Sequence, residues 1–338
     1  MDIQEVARRA NVSSATVSRV LNASPKVRPA TAEHVRQIIT ELNYVPNTSA
    51  RNLRTGRSKL LGLIVSDINN PFFPELIDDF EARARERNID VIFSHTNYQP
   101  NRLEQCVQRM IDRNVDGIAI FTSETNREVF DFTHRQKIPL VLMNQDGPRT
   151  EFNNIFVDHD SGATEAIRHL HTLGHRRIAF ISGPSGFDST RARHQAFLAA
   201  MADCRLSIRD QWIVEGDLHM EGGHLAMQEL LATSPRPTAV LCTNDLMAIG
   251  ALHAAHEAGI VVPADLSIIG FDNLPVCAMV MPPLTSVDIP RREIAAHAFN
   301  MLLKAFEQTT PVKLPTPRIK THLTQRSSTA MPPKAKRA

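Results

Sequence analysis

From Leu60 onward, short apolar runs alternate with longer amphipathic stretches, and this alternation restricts the possible folds more than any other feature of the 338-residue chain. Strands that alternate with helices form parallel sheets covered by helices on both faces. The apolar runs predict strands at Leu60–Ser66, Asp90–His95, Gly117–Thr122, Leu140–Asn144, Arg177–Gly183, Ala239–Thr243 and Ser267–Phe271. The amphipathic patterns predict helices around residues 74–88, 101–113, 126–136, 161–173, 191–203, 221–232, 245–258 and 291–306. These are too many units for one compact sheet.

Charge is distributed unevenly along the chain. Residues 1–59 contain 10 Lys+Arg and 4 Asp+Glu, a net charge of +6, whereas residues 60–310 contain 21 and 32, a net charge of −11. Residues 311–338 contain 7 basic residues and no acidic ones. A basic N-terminal segment on an acidic body predicts a nucleic-acid-binding head attached to a domain with another task. On charge alone, a merely solvated charged face is the alternative.

Several classes of protein are excluded by missing signals. No apolar run approaches the roughly 18 residues of a membrane-spanning helix, and the first five residues lack the pattern of a secretory signal, so we expect a cytoplasmic protein with no membrane partner. The four cysteines form no CxxC pair, and the 14 histidines form no HExxH motif, so we expect no metal site. Phosphate-binding glycine loops and the GxSxG elbow are also absent, which argues against an enzyme and against a cofactor.

The first 22 residues predict two short helices joined by a tight turn. Apolar residues recur at helical spacing at Ile3, Val6, Ala7 and Ala10. Ser13 is a good N-cap for a second helix over Ser14–Leu21. The small Ala7 allows the two helices to approach closely, and the side chains expected inside are Val12, Val17 and Val20. This pattern is typical of a helix-turn-helix, with a plain packing hairpin as the alternative.

The outward face of the second helix carries small residues at its start and a cation further along. It presents Ser14, Ala15, Ser18 and Arg19. Such a face suits a helix whose N-terminal residues enter the major groove of DNA. Arg19 has the donors to pair with a guanine edge.

The order of these motifs resembles the LacI/GalR family of bacterial transcription regulators. The matching segments are Ile3–Ala7, Asn11–Ser13, Thr16–Asn22, Glu41–Asn47, Ala50–Arg51 and Leu53, and the resemblance continues to about Ser327. It implies an α + α/β fold, with a helix-turn-helix head and a hinge helix before a two-lobed, periplasmic-binding-protein-like body of parallel βα sheets. It also implies a homodimer that binds double-stranded operator DNA with an affinity set by a small-molecule effector. The head residues expected to bind DNA are Ser14, Ala15, Thr16, Ser18, Arg19 and Asn22.

Residues 47–57 match the hinge of this family. Pro46 ends the preceding helix, and Asn47 or Thr48 can cap a short new helix that is marginal in isolation. The resemblance implies that paired hinge helices enter the minor groove, with DNA contacts from Asn47, Ala50 and Leu53. Leu53 would wedge into a base step, where unstacking costs a few kcal/mol that the added contacts offset. A flexible basic linker is the alternative.

The resemblance divides the chain into a head (1–46), a hinge (47–57), a body (58–330) and a disordered basic tail (331–338). Within the body, one lobe comprises about 58–157 and 288–315, and the other about 158–287 and 316–330. Three crossing segments are expected near Val157–His159, Ser286–Ile289 and Leu314–Pro317. A dimer is expected because symmetrical half-sites need a two-fold partner, with an interface around helices 74–88 and 221–258. The tail has no heptads.

Candidate effector-binding residues lie in loops that follow the predicted strands, where ligands of such sheets bind. They are Phe72, Phe73, Asn144, Phe187, Ser189, Arg193, Leu218, Asn244 and Asp272. Phe72 and Phe73 can stack on a sugar or base ring, although ordinary helix-start packing is the alternative. Arg193, Asn244 and Asp272 match effector-binding positions of the family. Asp245 is expected to cap the next helix rather than to bind the effector.

Three pocket positions depart from the pattern of well-known relatives. Leu218 stands in place of an aromatic ring, Asn144 in place of an aspartate, and Phe187 in place of a polar residue. These departures leave the effector class open. The pair of phenylalanines with Arg193 and Asp272 favours a sugar or sugar acid, and the alternative is a nucleobase or other metabolite that acts as a co-repressor.

Overall fold

The computed structural model describes residues 2–21, 24–44, 57–122, 124, 127–143, 152–307 and 314–333. The chain divides into two compact units, Met1–Lys59 and Leu60–Ala338. The first is helical and the second contains two parallel-stranded lobes, as predicted. No helix within the described ranges is both long enough and apolar enough to cross a membrane.

The first unit contains α1 (Ile3–Arg9), α2 (Ser14–Leu21) and α3 (Pro29–Glu41). The Asp2 carboxylate caps α1 by accepting hydrogen bonds of 3.0 Å from the amides of Gln4 and Glu5. The predicted cap of α2 is confirmed, since the Ser13 hydroxyl accepts a 3.2 Å bond from the Thr16 amide. The expected interior is also confirmed, with Ala7, Val17 and Val20 buried and Val12 packed against them.

Helix α3 closes the small core of the head. Val35 is fully buried against the other two helices, and Pro29 begins the helix at a position where its missing amide hydrogen costs nothing. The expectation that Pro46 ends this helix is wrong. The helix ends at Glu41 because Asn43 adopts a left-handed backbone with a φ of +45°, which an asparagine tolerates.

The first lobe of the body is built on a six-stranded sheet within the described residues. Its order is β11 (Arg318–Lys320), β5 (Asn153–Asp158), β4 (Leu140–Met143), β3 (Gly117–Phe121), β1 (Leu60–Val65) and β2 (Asp90–His95), all parallel. The sheet is covered by α4 (Phe72–Glu86), α5 (Pro100–Asp112), α6 (Arg127–Arg135) and α11 (Arg291–Glu307). Consecutive residues of β1 face different layers, because Leu63 and Ile64 belong to different hydrophobic clusters.

The second lobe repeats this plan. Its described six-stranded sheet has the order β12 (His322–Thr324), β10 (Thr285–Asp288), β9 (Ser267–Asp272), β8 (Ala239–Cys242), β6 (Ile178–Ser182) and β7 (Ile213–Glu215), with β12 antiparallel to β10. Its helices are α7 (His159–Thr172), α8 (Asp188–Asp203), α9 (Met220–Ala232) and α10 (Asp245–Glu257). Short 3₁₀ helices occur at Asp210–Trp212 and Pro275–Ala278.

Three segments of the body cross between the lobes. Two crossings fall where they were predicted, at the β5–α7 junction around Asp158 and after β10 around Ile289. The third was predicted near Leu314–Pro317, which is wrong. Because β11 still pairs with β5 of the first sheet, this crossing lies at Thr321, and the second lobe does not begin at residue 316. The Thr321 hydroxyl fixes the crossing, since it donates to the Asp158 carbonyl at 2.7 Å.

Candidate nucleic-acid interface and ligand cleft

The outer face of α2 carries the residues that were expected to read DNA. Ser14, Ala15 and Arg19 are exposed, whereas Thr16 and Ser18 are half-buried. The Thr16 hydroxyl lies 3.0 Å from the Ser13 hydroxyl, so its hydrogen-bonding capacity is shared with the helix cap. The remaining candidates Asn22, Asn47, Ala50 and Leu53 lie outside the described residues, and the hinge helix and its wedge stay predictions.

Exposed cations of the head fall into two groups. Arg8 and Arg36 form ion pairs with Glu5 and Glu33 on their own helices. Lys26 and Arg28, in the connection between α2 and α3, are exposed like Arg19 and have no ion pair with a described acidic residue. Sequence reasoning did not single these two out, although both lie beside the predicted reading helix. Exposed cations near a reading helix are suited to phosphate contacts.

A cleft in the body lies at the carboxyl ends of the parallel strands of both sheets. The first lobe contributes Asn70, Phe72, Phe73, Tyr98, Met143 and Val157, the crossings contribute His159 and Ile289, and the second lobe contributes Ser189, Thr190, Arg193, Leu218, Asn244 and Asp272. The structure therefore brings together seven of the nine predicted effector-binding residues. Asn144 lies outside the described residues. Phe187 is the other exception, because its ring is not part of the lining.

The space inside the cleft is open to solvent at one side. It measures about 520 Å³ including this open mouth. Ligand pockets of small molecules are commonly about 300–1,000 Å³, so the cleft has the size of a small-molecule site.

Arg193 and Asp272 form the charged centre of the cleft. Arg193 Nη2 lies 3.0 Å from Asp272 Oδ1, Nη1 donates to the Thr243 carbonyl, and the guanidinium stacks 4.5 Å above the centroid of the Phe271 ring. Burial raises the pKa of Asp272, while Arg193 opposes this shift. Because each group is mostly buried, the two charges neutralise each other inside the cleft.

Polar atoms at this centre lack hydrogen-bond partners among the described residues. They are Arg193 Nε and, next to it, Thr243 Oγ1. Asp272 Oδ1 has the ion pair with Arg193 Nη2 at 3.0 Å and no further hydrogen-bond donor. Buried polar atoms are nearly always hydrogen-bonded, so a cluster of unpartnered ones indicates a place where a ligand or water binds.

Asn244 both lines the cleft and caps α10. Its Oδ1 accepts a 2.9 Å bond from the Met247 amide, and its Nδ2 donates to the Leu218 carbonyl at 2.8 Å. The expectation that Asp245 caps this helix is therefore wrong. Asp245 is fully buried and accepts hydrogen bonds from the Leu274 amide at 2.7 Å and from the Ser286 hydroxyl at 2.5 Å.

The aromatic side of the cleft is formed mainly by the first lobe. Phe72 and Phe73 are each 5% exposed, with rings in a T-shaped contact at 5.2 Å between centroids. They are core residues whose edges line the cleft, so they pack at the start of α4 and are also available to contact a ligand. In the second lobe Leu218 adopts a left-handed φ of +73° and fills the position expected to hold a ring in relatives.

Sequence reasoning missed Tyr98 and His159. Tyr98 follows β2 and crosses the mouth of the cleft, where its ring packs against Phe187 at 5.5 Å and against His219 at 6.1 Å. Burial raises the pKa of Tyr98, so its hydroxyl stays protonated and can donate a hydrogen bond. Burial, reinforced by the charge of Arg193, holds the pKa of His159 well below 6.5, so this imidazole is neutral. The strand-end rule that found Phe72 also applies to Tyr98.

Arg291 connects the two lobes beside the cleft. Its Nε donates to Glu75 of α4 at 2.7 Å, Nη1 donates to the Asp272 carbonyl, and Nη2 donates to the Asn273 carbonyl at 3.2 Å. The side chain is only 11% exposed. One guanidinium therefore joins the first lobe to the loop that carries the central aspartate of the second.

Comparisons with known proteins agree with both parts of this description. Residues 2–47 match the family described as "Bacterial regulatory proteins, lacI family", and residues 167–329 match "Periplasmic binding protein-like domain". The HTH-type transcriptional repressor PurR of Vibrio cholerae is 34% identical over 304 residues, which cover 89% of this chain and 90% of that protein.

Two solved structures extend the similarity to the fold. The lac repressor dimer bound to operator and the anti-inducer ONPF superimposes with a TM-score of 0.86 at 25% identity, covering 98% of this chain and 99% of that one. The transcriptional regulator CelR in complex with cellobiose superimposes with a TM-score of 0.72 at 29% identity, covering 97% and 99%. The likeness therefore extends over nearly the whole chain.

Proposed function

The chain belongs to the lacI family of bacterial regulatory proteins and is a DNA-binding transcriptional repressor rather than an enzyme, and we propose that a neutral sugar in the cleft sets its affinity for a palindromic operator. The observation that carries this proposal is the Arg193–Asp272 pair with its unpartnered polar atoms in a cleft between the lobes. A guanidinium and a carboxylate side by side offer donors and acceptors that match vicinal hydroxyls.

Charge in the cleft favours a neutral ligand over a sugar acid. Arg193 is already balanced by Asp272, and His159 is neutral. A ligand carboxylate would compete with Asp272 for the same guanidinium and would place two buried negative charges close together, which is costly. Phe72 and Phe73 supply the apolar surface on which the carbon face of a sugar packs. The similarity to a cellobiose-bound regulator agrees with this class.

A nucleobase acting as a co-repressor is the alternative effector. Its flat ring would stack on Tyr98 or Phe72, and its polar edge would take the donors of Asn70 and Asn244, which also line the cleft. Stacking alone would leave the Arg193–Asp272 pair with no partner of its own. Hydroxyls on a non-planar ring use this pair better, and for this reason we favour the sugar.

Coupling between the cleft and DNA follows from contacts that cross the cleft. Tyr98 meets Phe187 and His219 at the mouth, and Arg291 joins Glu75 to the loop of Asp272 at the back. A ligand that changes the angle between the lobes must rearrange these contacts, so it binds one arrangement of the lobes better than the other. A coupling free energy of about 1–3 kcal/mol would change operator affinity about 5- to 150-fold, and operator would change effector affinity equally.

At the DNA end, we propose that the two heads of a homodimer read symmetrical half-sites. Ser14, Ala15 and Arg19 are exposed on α2 and available to base edges, while Lys26 and Arg28 are placed to contact phosphates. The hinge residues Asn47, Ala50 and Leu53 would add minor-groove contacts. Which genes are regulated follows from the operator sequence and not from the fold.

The proposal is tested first by ligand-dependent thermal stability of the full chain. Neutral pentoses and hexoses, disaccharides, sugar acids and nucleobases are compared, because a ligand that binds only the native state raises its stability by about 2.7 kcal/mol at a concentration 100 times its Kd. The expected result is a rise in Tm with one neutral sugar. A rise with a nucleobase alone would establish the alternative effector.

The second stage connects the ligand to DNA. An operator duplex is selected from a random pool, and its binding is followed by fluorescence anisotropy with and without the stabilising ligand. Arg193→Ala should abolish the ligand response and leave operator binding without ligand intact, whereas Arg191→Ala, an exposed neighbour on the same helix, should leave both unchanged. A normal ligand response in Arg193→Ala would show that the cleft is not the effector site.

A further inference from the structure

Two histidines and a glutamate meet on the surface of the second lobe where α9 packs against α10, and none of them lines the cleft. His224 lies on α9, and His253 and Glu257 lie on α10. His224 Nε2 is 2.7 Å from Glu257 Oε2, and His253 Nε2 is 3.3 Å from Glu257 Oε1. One ligand atom of each residue lies within 4.8 Å of the other two, and no other trio in the described part of the chain meets this condition.

Local structure explains why these side chains converge. His253 and Glu257 are four residues apart on one helix and therefore share a face. His224 reaches them because α9 and α10 cross at two glycines. A β-carbon at Gly250 would lie 1.8 Å from the Met220 carbonyl oxygen, and one at Gly223 would lie 2.2 Å from the Met247 carbonyl oxygen. The trio is thus held by two packed helices rather than by a loop, which favours a defined geometry.

The donor set and its spacing suit a metal ion. Two imidazoles and one carboxylate are the protein ligands of open zinc sites, with Zn–N distances of about 2.0–2.1 Å and Zn–O distances of about 2.0–2.2 Å. Ligand atoms at the corners of such a tetrahedron are about 3.4 Å apart. The observed separations of 2.7 and 3.3 Å come within an ångström of this value, so small rotations at the ends of the side chains complete the site.

Access to the three side chains also fits. In the single chain, the side chains of His253 and Glu257 are 65% and 50% exposed, which leaves an open fourth position for water. A second helical His–Glu pair, His297 with Glu293, has its atoms 3.8 Å apart but has no third ligand among the described residues.

We propose that His224, His253 and Glu257 bind a divalent transition-metal ion of the Zn²⁺ class where α9 and α10 meet, on the helices of the second lobe that are also expected at the dimer interface. The ion would replace the hydrogen bond between His224 and Glu257 and would join α9 to α10. The proposal is independent of the effector, since none of the three residues lines the cleft.

The test uses the full-length protein, stripped of metal with a chelator, and Zn²⁺ itself. Isothermal titration should give one Zn²⁺ per chain. Glu257→Gln, His253→Gln and His224→Gln should each weaken binding at least tenfold, whereas His297→Gln should leave it unchanged. Thermal unfolding without metal verifies that each variant is folded. Substitution with Co²⁺ should give the visible absorption of a tetrahedral site in the wild type only.

Two outcomes would overturn the proposal. One is the absence of stoichiometric Zn²⁺ binding by the wild-type chain. The other is binding of one ion that survives all three ligand substitutions, which would place the ion elsewhere. Because the conservative change to glutamine retains hydrogen-bonding capacity, loss of the ion without loss of Tm would not be explained by a merely structural role of these side chains.

Discussion

The crossing of α9 and α10 makes a sharp prediction about Gly250. An alanine there places its β-carbon 1.8 Å from the Met220 carbonyl oxygen, 2.8 Å from its carbonyl carbon and 2.9 Å from the His224 amide nitrogen. Contacts below 3.0 Å do not persist, so the helices must separate by at least 1.2 Å, the difference between 3.0 and 1.8 Å. All three atoms belong to the backbone, and no rotamer change can relieve the overlap.

The expected magnitude follows from two opposing effects. Overpacking of a closely fitted interface costs about 1–3 kcal/mol, and a backbone clash belongs at the upper end. Alanine in place of glycine within a helix recovers about 1 kcal/mol. Gly250→Ala should therefore lower the free energy of unfolding by about 2 kcal/mol. For a body of this size that corresponds to a fall in Tm of about 4–8 °C.

Differential scanning calorimetry of the full chain measures this change, with Gly186→Ala as the matched control. A β-carbon at Gly186 would meet nothing within 4 Å, so the control should be neutral or slightly stabilising. Gly223→Ala should resemble Gly250→Ala, because its β-carbon would lie 2.2 Å from a backbone oxygen. A Tm for Gly250→Ala equal to or above that of the wild type would refute the close-packing argument.

Three further predictions concern the head, the buried carboxylate and the lobe connection. Arg19→Ala should weaken binding to the selected operator by about 1–3 kcal/mol and should weaken binding to a random duplex less. Equal losses on the operator and on the random duplex in an anisotropy assay would show that Arg19 contacts phosphate alone. Burial raises the pKa of Asp245 to about 7, so the fold favours the protonated acid, and stability should fall as pH rises from about 4 to about 7. Urea unfolding should show that the free energy of unfolding falls by an amount on the order of 2–3 kcal/mol from pH 5 to pH 8, and by less in Asp245→Asn. Equal losses in the wild type and in Asp245→Asn would contradict the assignment to Asp245. Arg291→Ala should lower the free energy of unfolding by about 2–3 kcal/mol, because it leaves the Asp272 and Asn273 carbonyls without donors. Arg291→Lys should restore only part of this stability, because one ammonium cannot reach all three acceptors. Full restoration in a denaturation curve would disprove the bridging role.

Local patterns in the sequence were sufficient for most of the fold. All seven predicted strands are present with ends shifted by at most a residue or two, because a buried parallel strand is a continuous apolar run. Five other described strands were not among those predicted. Asn153–Asp158 and Thr285–Asp288 were expected only as crossings near their ends, and the three-residue strands Ile213–Glu215, Arg318–Lys320 and His322–Thr324 carry no periodicity. The third crossing was misplaced because pairing with one sheet or the other is decided by distant strands, and Thr321 itself carries no local signal.

In the cleft, too, local patterns predicted the positions of residues, whereas contacts between distant residues were not predicted. Position at a strand end, together with the family resemblance, placed Arg193, Asn244 and Asp272 at one cavity. The cap of α10 was assigned to Asp245 instead of Asn244 because both residue types cap helices. Asp245 is instead held by the Leu274 amide and the Ser286 hydroxyl, which are distant in sequence. Contacts between helices, such as the one that brings His224 to Glu257, are likewise absent from any local pattern.

Strands β11 and β12 occupy residues 318–324 and are separated only by Thr321, yet each completes a different sheet. On a ribosome, both lobes therefore remain one strand short until residues 318–324 have been synthesised. The head, whose hydrophobic cluster is formed by residues 3–44, has no such dependence on these strands. Translation thus delivers a complete head long before it delivers either complete lobe, and a premature stop before Arg318 would leave both lobes unfinished at once.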